Sequence, residues 1–214
     1  MQMKNRMSGM LMEVGAEYSK QRLHGKQYFS ELLEQLEEVP ASVKDLLRLS
    51  RSALDVFETT QRQLLDRLQK EPLLVKRVKL LRSIAGVGEV TALTWALEVC
   101  DPRRFPSIGD AVSYCGLCSA LVSSADKAKR GPISKQRNAH LQTVLIEASK
   151  LAPRWNKQLA EVYDRELKRG DRNQATLAVA RKLVAYLLAV DKSGKRFEVR
   201  TLPPAAPEEV AKVA

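Results

Sequence analysis

Two stretches between Leu81 and Lys135 carry residue types that can act on a phosphodiester. The first is Leu81-Arg82-Ser83-Ile84-Ala85-Gly86-Val87-Gly88-Glu89-Val90-Thr91-Ala92, an apolar helix end, a Gly-x-Gly turn and a helix start. Glycine takes positive φ and lets backbone approach a ligand closely. The first N–H groups of the next helix lack intrahelical partners and sit at its positive dipole end. Gly86 and Gly88 through backbone, and Thr91 through its hydroxyl, are therefore candidates for holding a phosphate. Glu89 opposes an anion there, and a tight turn that binds nothing has the same local pattern.

The second stretch is Ser123-Ser124-Ala125-Asp126-Lys127-Ala128-Lys129-Arg130-Gly131-Pro132-Ile133-Ser134-Lys135. Lys127, Lys129, Arg130, Lys135 and Arg137 face one acid, Asp126. Such a run neutralises several phosphates and makes affinity fall with salt; the same run also suits a solvated loop. A serine hydroxyl beside these cations can attack phosphorus, with the cations stabilising the developing charge. From residue types alone Ser123 and Ser124 are equivalent, and no general base is identifiable beyond the nearby Asp126. Ser134 reads as a turn or helix-start residue.

Other chemistries have less support. Asp101, Asp110, Asp126, Glu147 and Asp164 are scattered without ligand spacing, so no metal site is assigned. Cys115-Gly116-Leu117-Cys118 has C-x-x-C spacing, but no second pair completes a zinc site, and the thiols read as small buried groups. Trp155 and Tyr163 can stack on bases, yet their spacing with Leu159 and Val162 favours the core of a helix pair.

The 214 residues carry 36 Lys and Arg against 25 Asp and Glu, a net charge of +11. That excess favours a polyanion as partner, nucleic acid above all. With 44% hydrophobic residues the chain can build a core. Three cysteines suit a reducing compartment, and no secretory signal is visible, so a cytoplasmic, nucleoid-associated protein is expected. The longest apolar stretch, Ala175 to Val190, is broken by Arg181-Lys182 and falls short of the ~20 residues that span a bilayer.

The positioning elements are expected to be mostly α. Met3 to Glu17 places Met3, Met7, Met10, Leu11 and Val14 on one helical face. That face is in register from the first residue with no cap before it, so Met1 is expected to lie inside a helix of a longer ancestral chain. Tyr28 to Glu38 continues as helix to Pro40, and Ser42 is expected to cap the next one, with Asp45 in its first turn. From Val43 to Leu68, apolar residues recur at three- and four-residue steps. Val43, Ser50, Phe57 and Leu64 share a heptad position, compatible with a coiled-coil arm that pairs two copies or with a helix packed on its own domain. Helices then follow at Leu73 to Ser83, Val90 to Val99, Ser107 or Asp110 to Tyr114, His140 to Ala152, Trp155 to Arg169 and Gln174 to Val190. Leu121 to Ile133 reads as loop or irregular hairpin, and Gly170 as a helix stop. Three segments result: an arm over 1–72, a helical domain with a helix-hairpin-helix-like motif over 73–200, and a disordered tail over 201–214.

Taken in order, these motifs resemble the C-terminal domain of the insertion-sequence 110/116/902 transposases, also described as bridge-RNA-guided recombinases. Leu81 to Gly88 is similar to that family's L-x-x-I-P-G-[IV]-G, with Ala85 in place of proline, and Thr91-Ala92 follows. Phe105 and Tyr114-Cys115-Gly116-Leu117 resemble its R-F and Y-x-G-L. Ser124 and Lys127 match its S-G-x-K, with Ala125 in place of glycine. Arg130 to Lys135 resembles R-G-x-I-S-K, Asn138 to Leu141 resembles N-x-x-L, and Ala180-Arg181-Lys182-Leu183 resembles a late A-R-K-L. The resemblance covers about Leu73 to Phe197. It implies that Ser124 is the nucleophile that captures a DNA end, and that the arm helps form a homodimer or higher oligomer. It also implies DNA, and a guide RNA, as partners.

In that family magnesium is bound by acidic residues of an N-terminal RuvC-like domain. The 214 residues contain no such domain, so the chain as it stands is expected to bind no cofactor itself and to be incomplete as a recombinase. The alternative is a non-catalytic DNA- or RNA-binding module that pairs with full-length transposase and modulates it.

Overall fold

The computed structural model describes residues 2–37, 39–124, 127–133 and 137–198, with 120–124, 127–130 and 132 described by backbone alone. The fold is mostly α, with one antiparallel β-hairpin. It divides into two compact units, Met1–Arg67 and Leu68–Ala214. The stretch read as a tail, 201–214, lies outside the described residues.

In the first unit α1 (Gln2–Glu13), α2 (Lys26–Gln35) and α3 (Ala41–Lys70) share one core. Met7 and Leu11, Leu23, Phe29, Leu32 and Leu33, and Leu47 and Leu54 are all buried there. The first helix is shorter than the apolar pattern suggests. Gly15 (φ +67°) ends it, with the Ala16 N–H returning to the Leu11 carbonyl. The start of α3 also differs from expectation. The Pro40 carbonyl accepts from the Val43 and Lys44 N–H groups, so the helix opens two residues earlier, at Ala41, and Ser42 lies inside its first turn. Asp45 pairs with Arg48 instead, at 2.9 Å.

The heptad on α3 splits. Val43 packs against the core and Ser50 is buried within the unit, whereas Phe57 and Leu64 are exposed. A straight helix drifts about 20° per heptad away from a 3.5-residue repeat, so one heptad position cannot stay on one face. The buried face is Leu47, Ser50, Arg51 and Leu54, with Arg51 bonded to Asp55 and the His24 carbonyl. Leu46, Leu49, Val56, Phe57 and Leu64 form an exposed apolar set.

The second unit is built around α9 (Arg172–Ser193), capped by the Asp171 carboxylate and closed by Gly194 at φ +63°. Ala175, Val179, Ala180, Leu183, Val184, Leu187, Leu188 and Val190 are buried on it. Against it pack α4 (Pro72–Leu81), α6 (Ile108–Tyr114), α7 (Ala139–Leu151) and α8 (Lys157–Leu167); α5 (Glu89–Val99) packs on α4 and α7. Ser107 and Asp110 form a reciprocal capping box on α6, and those hydrogen bonds hold the Asp110 carboxyl below its ordinary range. No described helix is long and apolar enough to cross a membrane.

Two features bear on the site. Of the two readings of the segment, loop or irregular hairpin, the structure has the hairpin: β1 (Ser119–Ser124) and β2 (Lys127–Ile133) pair antiparallel, with a register irregularity between Ser119 and Leu121. The helix expected from Trp155 starts at Lys157, because the Asn156 side chain accepts from the Leu159 N–H and caps it. Trp155 is therefore outside the helix and 74% exposed, not a core residue.

Candidate nucleic-acid interface

The Gly-x-Gly turn is rigid for identifiable reasons. Ile84 and Val87 are buried on either side of it, and the Val87 N–H closes onto the Ile84 carbonyl. Gly86 sits at φ +96°, and a Cβ there would come 2.6 Å from Ala152 Cβ and 2.8 Å from its Cα. Asn156 adds a second bolt, its amide donating to the Ala85 carbonyl at 3.3 Å. Gly88 differs: it is extended (φ −81°, ψ 173°), precedes α5, and a Cβ there would meet nothing. No side chain caps α5, so its first-turn N–H groups are left for another acceptor. Thr91 is buried within the helix packing, on the wall of an open groove of about 640 Å³ that also includes both glycines.

The basic segment is organised by strand pairing. Ser124 stands opposite Lys127, Val122 opposite Lys129, and Leu121 opposite Arg130. Ser123 stands opposite Ala128. Backbone register thus separates two serines that residue type does not. Lys135 and Ser134 lie outside the described residues.

The base of the hairpin is held by residues from three helices. Gly116 (φ +68°) lies against the Arg137 side chain, with which any Cβ would collide. The Gly116 carbonyl accepts from Gln142 at 2.6 Å, and the Leu117 carbonyl from Arg181 at 2.8 Å. Asn138 caps α7 and donates to Glu98 at 2.6 Å; the Tyr114 hydroxyl donates to the Glu98 carbonyl at 3.1 Å. Arg104 lies over the Phe105 and Tyr114 rings. Motif residues quoted as separate fragments, from Phe105 to Arg181, thus meet around one turn. Glu98 and Gln142 escaped the sequence reading; an unpaired polar residue on an otherwise apolar helix face was their only signal.

Of the two C-x-x-C thiols expected to be buried, Cys115 is buried and Cys118 is half-buried. Burial pushes the Cys115 thiol up to about 12, which removes it as a thiolate nucleophile or ligand near neutral pH. Among the described residues no group of three or more His, Cys, Asp or Glu side chains can hold a metal ion. Magnesium therefore has no fitting site among them.

Comparison with known proteins adds a family. Residues 78–164 match the family model described as Transposase IS116/IS110/IS902 family. The chain is 25% identical over 156 residues to a Pseudomonas aeruginosa protein named "Probable family 20 transposase", covering 71% of this chain and 46% of that one. It is 29% identical over 121 residues to "Insertion element IS110 uncharacterized 43.6 kDa protein" of Streptomyces coelicolor, covering 56% and 30% respectively. The chain spans less than half the length of these relatives.

Proposed function

Residues 78–164 belong to the Transposase IS116/IS110/IS902 family, and on that premise we propose that the chain acts in DNA transposition, with Ser124 as the nucleophile. The pairing of Ser124 with Lys127 at the end of a basic hairpin supports the reading most directly. Lys127, Lys129 and Arg130 neutralise the phosphates, joined by Lys135 and Arg137, while Gly86 and Gly88 clamp the backbone of the same nucleic acid. In the covalent step the Ser124 hydroxyl oxygen bonds to phosphorus and the bridging P–O bond breaks. The serine proton ends on the leaving deoxyribose oxygen. Reversal onto a different DNA end completes strand transfer. The chain alone binds DNA and recombines it poorly, because the carboxylates that organise cleavage are not gathered among its described residues. A guide RNA is a second polyanion that the same basic surface suits, and the nucleoid is the place of action.

The test is duplex binding across a salt series, with denaturing gels for a covalent adduct. Wild-type affinity is expected to fall steeply with salt. The triple change Lys127→Ala, Lys129→Ala, Arg130→Ala should flatten the logarithmic slope by roughly 3. Ser124→Ala should bind as the wild type does and abolish any adduct of this 24.0 kDa chain, resolved by size from that of full-length transposase supplied in the same reaction. Salt-insensitive binding would overturn the DNA reading; an adduct that survives Ser124→Ala would overturn the nucleophile.

The exposed set on α3 supports self-association as well. Leu46, Leu49, Phe57 and Leu64 are each about half exposed or more along one helix, and contiguous exposed apolar side chains favour contact with a partner surface. We expect Phe57→Asp to shift the sedimenting species from dimer towards monomer with helicity unchanged; a monomeric wild type at micromolar concentration would end this part of the proposal.

A further inference from the structure

The groove beside the Gly86 turn has an aromatic wall that the phosphate clamp does not use. Trp155 is 74% exposed, whereas the chain's other tryptophan, Trp95, is fully buried and donates its indole N–H to Asp191. Exposed apolar groups continue the wall at Val90 and Leu151. Trp155 is held at this place by its neighbours. Ala152 contacts Gly86, the Trp155 N–H donates to the Ala152 carbonyl, and Asn156 ties the turn to the Ala85 carbonyl, so the Trp155 backbone and the glycine turn belong to one packed assembly. Arg154 and Lys157 flank it and are exposed, and the one acid on the groove wall besides the helix start, Glu147, is paired with Lys150 at 2.6 Å.

We propose that this groove takes an unpaired nucleobase, stacked on Trp155, from the strand whose phosphate rests on the Gly86–Gly88 turn. The proposal rests on the nucleic-acid reading above and adds its ligand class: a nucleotide that has left the duplex stack. A nucleotide carries a phosphate and a flat apolar face a few ångströms apart. The groove offers uncapped N–H groups at the start of α5 on one side and an indole face on another. Flanking cations favour an anionic occupant over a neutral or basic protein segment, and the exposed indole face favours a flat base among anionic occupants. Base stacking tolerates every base, so the site selects strand state and not sequence.

The two tryptophans make the test direct, because Trp95 emits from a buried site and Trp155 from water. The full chain is titrated with a single-stranded oligonucleotide and with the blunt duplex of the same sequence, at one salt concentration. The single strand is expected to quench the solvent-exposed emission. Trp155→Ala should weaken single-strand binding roughly five- to a hundredfold, with duplex affinity changing far less; Trp155→Phe should retain most of the binding. Trp95 emission in both variants reports that the fold is intact. Equal single-strand affinity of Trp155→Ala and wild type, or an equal loss for duplex and single strand, overturns the stacking site alone. Emission that changes with protein concentration alone would assign the groove to contact between copies and also overturn it. Failure of the wild type to bind either oligonucleotide overturns this inference together with the DNA reading beneath it.

Discussion

Replacing Gly86 by alanine is expected to lower the stability of the Leu68–Ala214 unit by about 3 kcal/mol or more, whereas Gly88→Ala is expected to change it by less than about 0.5 kcal/mol. The two glycines look equivalent in sequence. Their environments separate them: Gly86 combines φ +96° with a Cβ position 2.6 Å from Ala152 Cβ, while Gly88 is extended and faces open space. An alanine at 86 is strained by its backbone and again by the collision, and the Ala152 turn cannot yield without disturbing Asn156. In a unit of this size the loss corresponds to a fall in melting temperature of about 6–12 °C. DNA binding should respond in the opposite order of subtlety. Gly88→Ala keeps the fold but sets a methyl group where a phosphate approaches the α5 N–H groups, so affinity should fall roughly tenfold at unchanged stability. Thermal melts and binding isotherms on the two variants measure both halves. A Gly88→Ala protein with wild-type affinity would remove the clamp from the proposed function and leave Gly86 as a purely structural glycine.

This contrast marks where sequence reasoning succeeds. A turn at Gly86–Gly88 between two helices, a helix start at Ser107, one of the two residues the sequence offers, and the apolar face of α1 are local patterns, and the fold contains each of them. Trp155 failed for a local reason too. Its spacing to Leu159 and Val162 fits a helix, but Asn156 is a strong capping residue three positions before Leu159, and the cap displaced the helix start past the tryptophan. Ser42 failed the other way: it has the right chemistry for a cap, but the carbonyl of Pro40 had already taken the position. The β-hairpin was ambiguous because glycine, proline and three cations mask any alternation, and residue types alone do not set Ser124 apart from Ser123, whereas pairing across the turn does. The meeting of Tyr114, Gly116, Asn138, Gln142 and Arg181 was beyond reach, since each bond joins residues many positions apart.

The network around Asp191 is the extreme case, and it carries the second large effect. Arg77 on α4 donates twice to this carboxylate at 2.7 Å, and Trp95 on α5 donates at 2.8 Å, across 114 and 96 residues of chain. Arg77 also reaches the carbonyls of Ala96 and Cys100. Asp191 is 3% exposed, so its charge is compensated by these donors and not by water. Asp191→Ala is therefore expected to cost about 3–5 kcal/mol, because it leaves a buried indole N–H without an acceptor and a guanidinium without its counter-charge. Asp191→Asn keeps one acceptor for Trp95 and should cost less. The exposed Arg103–Asp101 pair provides the comparison: despite a similar contact of 3.0 Å, Arg103→Ala should leave the unfolding midpoint essentially unchanged. Denaturant unfolding followed by Trp95 emission in a Trp155→Phe background measures all three changes. If Asp191→Ala unfolds no more readily than Arg103→Ala, α4, α5 and α9 are held by apolar packing alone, and the long-range polar contacts that the sequence could not reveal only follow a fold already decided by its buried leucines and valines.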